Sequence, residues 1–232
     1  MRWEVEAQTR GSRDDTGGVP LLAVHRAGKV GRGRMTMSGN LPVELTSFVG
    51  RRGQVGQVRQ LLGSAHLVTL TGLGGVGKTR LALHTARATA RSFPDGAWFI
   101  DLAPLRDPQL VATAACQAMN VWDQSTRWSV DNLGDYLSGR RALLVLDNCE
   151  HLLDACAAFS EALLLAAPDL RILATSRQAL GLIGEAVVQV LPLELPPDVV
   201  HGQPWVVGQY DAIQLFAERA AMAVPGLTAL RT

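Results

Sequence analysis

Cysteine is scarce in this chain. Only Cys116, Cys149 and Cys156 occur in 232 residues, and no two form a CxxC pair. That argues against the disulfide framework of a small secreted domain and against a thiolate zinc site, and it fits reduced thiols in a cytosolic protein. Cys149 and Cys156 have the spacing of a buried helix stripe, so they are assigned to the core. An excess of one charge is also missing, since 22 basic and 21 acidic side chains leave a formal net charge of +1. No global field therefore steers the chain toward nucleic acid or an anionic membrane. No apolar run approaches the roughly 18–20 residues that span a bilayer. The N-terminus, MRWEVEAQTRGSRDD, is too polar for a secretory signal, which again points to the cytoplasm.

What is present is globular in character, with 47% apolar and 19% charged residues. Residues 1–39 stand apart: GSRDDTGGVP and HRAGKVGRGRMTMSGN carry glycines and charges without a sustained apolar period. This stretch is expected to be a flexible leader outside the folded core. Its basic cluster Arg26, Lys29, Arg32 and Arg34 reads as a solvated tail, able at most to give weak, salt-sensitive contact with nucleic acid.

From residue 40 onward, short apolar runs alternate with amphipathic stretches. Residues 52–63 read as a helix, HLVTLTG as a buried strand, and GKTRLALHTARATARSF as a helix that begins inside a glycine loop. GAWFIDL, RALLVLDN, LRILATSR and AVVQVLPL read as further strands. DPQLVATAACQAM, with Asp107 as N-cap and Pro108 at the first position, VDNLGDYLSG, EHLLDACAAFSEALLLAA and YDAIQLFAERAAMAV, capped by Asp211, read as helices. Continuous apolar strands alternating with helices predict an α/β fold, with a central, mostly parallel sheet covered on both faces.

One stretch carries chemistry directly. TGLGGVGKTR, residues 71–80, matches G-x-x-x-x-G-K-[ST] at Gly72, Gly77, Lys78 and Thr79. The glycines let successive N–H groups converge on phosphate oxygens, and the following helix adds a favourable dipole. Gly72, Gly74, Gly75, Val76, Gly77, Lys78, Thr79 and Arg80 form the expected phosphate cradle. Lys78 would reach the β- and γ-phosphates, and the Thr79 hydroxyl would ligate Mg²⁺. Asp147 ends the apolar run LLVLD, where a carboxylate is costly to bury without a cation, and it is the second expected magnesium ligand.

The next residue is Asn148, whose amide cannot take a proton from an attacking water. Glu150 is the nearby acid, and it equally fits a first-turn helix residue that complements the dipole. Arg177, at the end of LATSR, fits either a γ-phosphate sensor or an ordinary helix-start arginine.

Together, LTSFVGR, TGLGGVGKTRLA, LLVLDNCEHLLDAC and ILATSRQALGLIGE resemble the nucleotide-binding core of signal-transduction ATPases with numerous domains (STAND), related to NB-ARC and AAA+ proteins. The likeness is nearest to the ATPase module of bacterial transcriptional regulators of the AfsR and LuxR-like type. It spans residues 40–222. The resemblance implies that Phe48, Val49, Gly50 and Arg51 lie against adenine. It also implies that the P-loop strand is central, that Arg177 senses phosphate, and that the module switches between ATP and ADP. Gly53-Gln54 stand where the family usually has a glutamate. Residues 40–200 are expected to form the core and 201–232 the start of a helical lid that is largely missing.

The resulting expectation is an ATP/ADP-binding switch that uses Mg²⁺, hydrolyses ATP slowly at most, and acts through a protein partner that supplies a lid or effector. Direct sequence-specific DNA binding is not expected, because no basic helix pair appears. The competing class is a non-cycling interaction protein, or gene remnant, that keeps the fold. A small-molecule kinase fits less well, for want of an arginine-rich substrate lid.

Overall fold

The computed structural model describes residues 39–121, 129–196 and 209–223. The leader expected over 1–39 therefore lies outside the described residues, except for Gly39, and so does the lid region outside 209–223.

Five strands form one sheet: β1 Leu67–Thr71, β2 Ala97–Asp101, β3 Leu143–Asp147, β4 Arg171–Ser176 and β5 Glu185–Gln189. Their order is β2-β3-β4-β1-β5 and every pairing is parallel. The strand before the glycine loop, β1, is interior but second from the edge, and β4 is central. That differs from the central placement expected for β1. The register sets Leu70 beside Thr175 and Thr71 beside Ser176, so the ends of β1 and β4 open at the same level.

The helices are α1 Arg52–Ser64, α2 Lys78–Thr89, α3 Val111–Ala118, α4 Val130–Leu137, α5 Leu153–Ala166 and α6 Asp211–Ala223. Of the two caps expected, Asp107 forms and Asp211 does not: Asp211 is the first residue of α6, and its carboxylate accepts from the Arg51 backbone N–H instead. Asp107 accepts a hydrogen bond from the Gln109 amide, but the first turn, Pro108–Leu110, is a 3₁₀ turn and α3 begins after it. Ser129 caps α4 by accepting from the Asn132 amide.

Alternation along each strand feeds two cores. Leu144, Leu146, Ile172 and Ala174 face a layer containing Leu133, Leu137, Cys156 and Leu163 of α4 and α5. Leu143, Val145 and Leu173 face the opposite layer with Val58 and Leu62 of α1 and Leu81 and Ala86 of α2. Because both faces are covered, the strands read as unbroken apolar runs. All three cysteines are buried and unpaired, as the core assignment expects. A β-carbon on Gly134 would lie 2.8 Å from the Ala166 methyl, so α4 can approach α5 only with glycine there.

Gly39 bridges to Ala97, and Asn40 accepts from the Phe99 amide (2.6 Å) and donates to its carbonyl (2.9 Å). β2 is an edge strand, and this side-chain amide satisfies part of its unpaired backbone row.

Leu144 is fully buried between β2, β4 and the α5 layer. Leu144→Ala is expected to lower the unfolding free energy by about 2–5 kcal/mol. Urea denaturation checks this, and a loss below about 1 kcal/mol would contradict the two-layer core.

Candidate functional site

The C-terminal ends of β1, β3 and β4 open on one edge of the sheet, where ligands of parallel α/β folds bind. β1 runs into the loop 72–77, and α2 starts directly after it. Gly72 has φ 150°, and a β-carbon there would lie 2.5 Å from the Val190 carbonyl oxygen; β5 and its exit pack that close to the loop. Gly77, at φ 99°, is the left-handed residue that turns the loop into α2. The Lys78 side chain is 7% exposed, and its ammonium donates to the carbonyls of Gly72 and Leu73, both at 3.0 Å. The cation is therefore held across the mouth of the loop rather than extended into solvent.

Asp147 is 2% exposed and ends β3. Its Oδ1 accepts from the Thr79 hydroxyl at 2.7 Å and from the Thr175 hydroxyl at 2.6 Å. Its Oδ2 accepts from the Asn148 side-chain amide at 3.0 Å. Asn148 adopts a left-handed conformation (φ 62°), and its backbone N–H donates to the Thr175 hydroxyl at 3.1 Å. Among the described residues no basic side chain forms an ion pair with Asp147. Burial raises its pKa; the Thr175 and Thr79 hydrogen bonds oppose this, and the carboxylates of Asp101 and Glu150 add to the rise. A buried carboxylate beside a hydroxyl, with no protein cation, is a hard-oxygen donor set suited to Mg²⁺.

Glu150 and Arg177 sit on the same edge and meet. Arg177 Nε is 3.5 Å from Glu150 Oε1, with the arginine side chain 70% exposed and the glutamate 22%. The second oxygen of Glu150 is buried and has no hydrogen-bond partner. Arg177 also borders the loop, since a β-carbon on Gly74 would come within 3.7 Å of its Nη2. A cavity of about 470 Å³ lies here, between residues 71–74, Arg177 and residues 189–192.

The segment 48–51 lies beside the start of α1. Phe48 stacks on His84 of α2 with ring centroids 4.0 Å apart. Arg51, also left-handed, donates to the Val76 carbonyl (2.8 Å), the Leu191 carbonyl (2.9 Å) and Gln54 Oε1 (2.8 Å). Its backbone N–H donates to Asp211 Oδ2 of α6 at 3.3 Å. Desolvation lowers the Arg51 pKa, opposed by the Asp211 charge. Phe48, Val49, Gly50, His84, Gln214 and Glu218 border a cavity of about 360 Å³.

The fold thus brings Lys78, Thr79, Asp147, Glu150, Arg177 and the loop glycines to one edge, with Arg51 joined to the loop through Val76. Arg80 is engaged elsewhere: its guanidinium donates to the carbonyls of Thr46 and Ser47. Three contributors had no role in the sequence reading. Thr175, in LATSR, has no role assigned there, yet its hydroxyl holds Asp147. Gln54 occupies Arg51, and Asp211 was read only as a cap. A hydroxyl ending a central strand is a signal for Thr175, but its partner is 28 residues away and only the sheet supplies it.

No family model matches the chain. It is 44% identical over 171 residues to Rv0890c of Mycobacterium tuberculosis, provisionally named an HTH-type transcriptional regulator, covering 74% of this chain and 18% of that protein. It is 44% identical over 176 residues to the uncharacterized Rv0894 of the same organism, covering 76% and 42%. It is 30% identical over 194 residues to the regulatory protein AfsR of Streptomyces griseus, covering 78% and 19%. The chain therefore spans less than half the length of each of these relatives. Among solved structures, the STAND protein PH0952 of Pyrococcus horikoshii, which has a tetratricopeptide repeat sensor, superposes with a TM-score of 0.50 at 18% identity. That match covers 80% of this chain and 27% of PH0952. The chain has the α/β P-loop ATPase fold, and its sequence resembles AfsR-like regulators.

An acid whose pKa is higher folded than unfolded binds more protons in the folded state. Its burial therefore opposes folding fully above the folded pKa, and the penalty fades as pH falls through that value. Asp147→Asn is accordingly expected to melt higher than the wild-type chain at pH 8, without nucleotide or magnesium, with the gap narrowing at pH 5. Thermal melts at the two pH values check this; a lower melting temperature for the variant at pH 8 contradicts it.

Proposed function

We propose that the chain is an ATP/ADP-binding switch module of a STAND-type ATPase, tied to transcriptional regulation through other domains or partners. One observation carries the reading most: the 2.7 Å contact between Thr79, at the start of α2, and the buried Asp147 that ends β3. In this reading the N–H groups of residues 72–77 hold phosphate oxygens. Lys78 exchanges its two loop carbonyls for the β- and γ-phosphates, and Thr79 and Asp147 hold Mg²⁺, which would neutralise phosphate charge. Thr175 and Asn148 keep Asp147 oriented. Arg177 faces the γ-phosphate, and Val49, Gly50 and Arg51 border the base. The regulatory link rests on the names of the relatives; in this reading the core itself does not read DNA sequence.

Turnover is slow in this proposal. Asn148 spends its side-chain amide on Asp147 and offers no base. Glu150, the remaining acid, pairs with Arg177 and would have to leave it to orient a water. The same two facts favour a second reading, a nucleotide-binding interaction protein that does not cycle.

Titration calorimetry with ATP and ADP, with and without Mg²⁺, tests binding. Lys78→Ala is expected to lose a charge-assisted contact of about 1.5–3 kcal/mol, or roughly tenfold to a hundredfold in affinity. Equal affinity in the variant would remove the P-loop role. Single-turnover measurements are expected to give hydrolysis well below about 1 s⁻¹. Turnover of several per second, abolished by Asp147→Ala, would show a complete catalytic site instead.

A further inference from the structure

The opposite edge of the sheet, where β3 and β4 begin, carries a second polar cavity of about 230 Å³. Arg59 of α1, Arg141 before β3 and Arg171 at the start of β4 line it, with Ser92 beyond α2 and the carboxylate of Asp169. None of these residues belongs to the P-loop edge. The register that pairs Leu143 with Arg171 brings the last two arginines together, because Arg141 lies just upstream of Leu143.

Three arginines therefore line the cavity beside one acidic residue, Asp169. The described ion pairs lie elsewhere, at Glu44 and Glu150, and include neither Arg59 nor Arg141. Asp95, the other nearby acid, accepts from the backbone N–H of Arg141 at 2.8 Å. Arg171 is anchored by its own backbone, donating Nη1 to the carbonyls of Leu170 (2.9 Å) and Pro168 (3.3 Å), which leaves its other nitrogens available. Burial lowers the Arg171 pKa; Asp169 opposes this and Arg141 lowers it further, as expected of a like-charge pair only partly neutralised.

The plain alternative is that these arginines complement the C-terminal ends of α1 and α2. Each helix end carries only about half a charge, and the effect is confined to the last turn. Two such ends and Asp169 do not require three arginines lining one cavity. The cavity is also smaller than the roughly 300–1,000 Å³ of drug-sized sites, so it suits a compact group. Planar guanidinium forks match the terminal oxygens of a phosphate, and its negative charge suits the basic excess.

We propose that this cavity is a second ligand site, distinct from the nucleotide edge, that takes the phosphoryl group of free phosphate or of a small phosphomonoester through Arg59, Arg141 and Arg171.

The full chain, as wild type and as Lys78→Ala, would be titrated with inorganic phosphate, glycerol 3-phosphate and succinate at constant ionic strength. Arginine Nε–Hε resonances in ¹H–¹⁵N spectra provide the readout. Saturable shifts of Arg59, Arg141 and Arg171 are expected with the phosphates in both proteins. A preference for glycerol 3-phosphate would identify a phosphomonoester site, and a preference for inorganic phosphate a free-anion site. Arg59→Gln, at an exposed position, and Arg141→Gln should each weaken binding at least about tenfold. Shifts that rise linearly without saturating, that succinate reproduces equally, or that Lys78→Ala abolishes would overturn the proposal. So would undiminished binding in the Arg59→Gln, Arg141→Gln double variant. Retained phosphate binding beside failed ATP binding would refute the P-loop function alone and leave this site standing.

Discussion

The carboxylate of Asp147 is the constraint around which the candidate site is organised. It is buried at the end of β3, and its three hydrogen-bond donors are all neutral: Thr79 from α2, Thr175 from β4 and the neighbouring Asn148. Each contact ties a different element to the same anion. Hydrogen bonds from neutral groups recover part of the hydration lost on burial but do not balance the charge. Burial, with help from two other acids nearby, pushes its proton affinity up. Such a group is costly for stability alone, which supports the magnesium role proposed for it. The left-handed backbone of Asn148 belongs to the same arrangement, since it lets one residue serve Asp147 with its side chain and Thr175 with its backbone.

Arg51 performs a comparable service on the other side of the loop. One guanidinium holds the carbonyls of Val76 in the loop and Leu191 after β5, while the backbone N–H of the same residue meets Asp211 of α6. The segment before it is fastened to both helices. Glu44 pairs with Arg87, Arg80 holds the carbonyls of Thr46 and Ser47, and Ser47 bonds to Glu218 and receives Arg219. Residues 44–51 thus join the loop's helix to α6. A change at the loop carbonyls would be felt at α6 through few bonds, which gives the proposed switch a physical route.

The two edges of the sheet are chemically different. At the C-terminal edge, glycine-loop N–H groups, Lys78 and Arg177 stand with three acids, a mixture suited to phosphate together with a metal. At the N-terminal edge, arginines outnumber acids and no comparable oxygen donor set occurs among the described residues. α1 and α2 each begin beside the loop edge and end near the arginine cavity, so the same two helices border both.

Local sequence was enough for the class of fold and for the residues proposed to hold phosphate. Unbroken apolar runs required a sheet covered on both faces, and G-x-x-x-x-G-K-T ahead of an amphipathic helix required a loop with exposed backbone donors, because these are local consequences of side-chain size and period. Element boundaries followed less closely: 3₁₀ turns replace the first turn expected before α3, the start expected at Glu150 before α5, and the last turn expected after α2. Tertiary structure alone decided strand order, which put β4 rather than β1 at the centre and so delivered Thr175 to Asp147. It decided that Arg80 serves residues 46–47, that Glu150 and Arg177 hold each other, and that Arg51 rather than a free cation closes the loop's flank. Each of these depends on pairing between residues far apart in the chain, and periodicity carries no information about which distant partner a polar side chain meets.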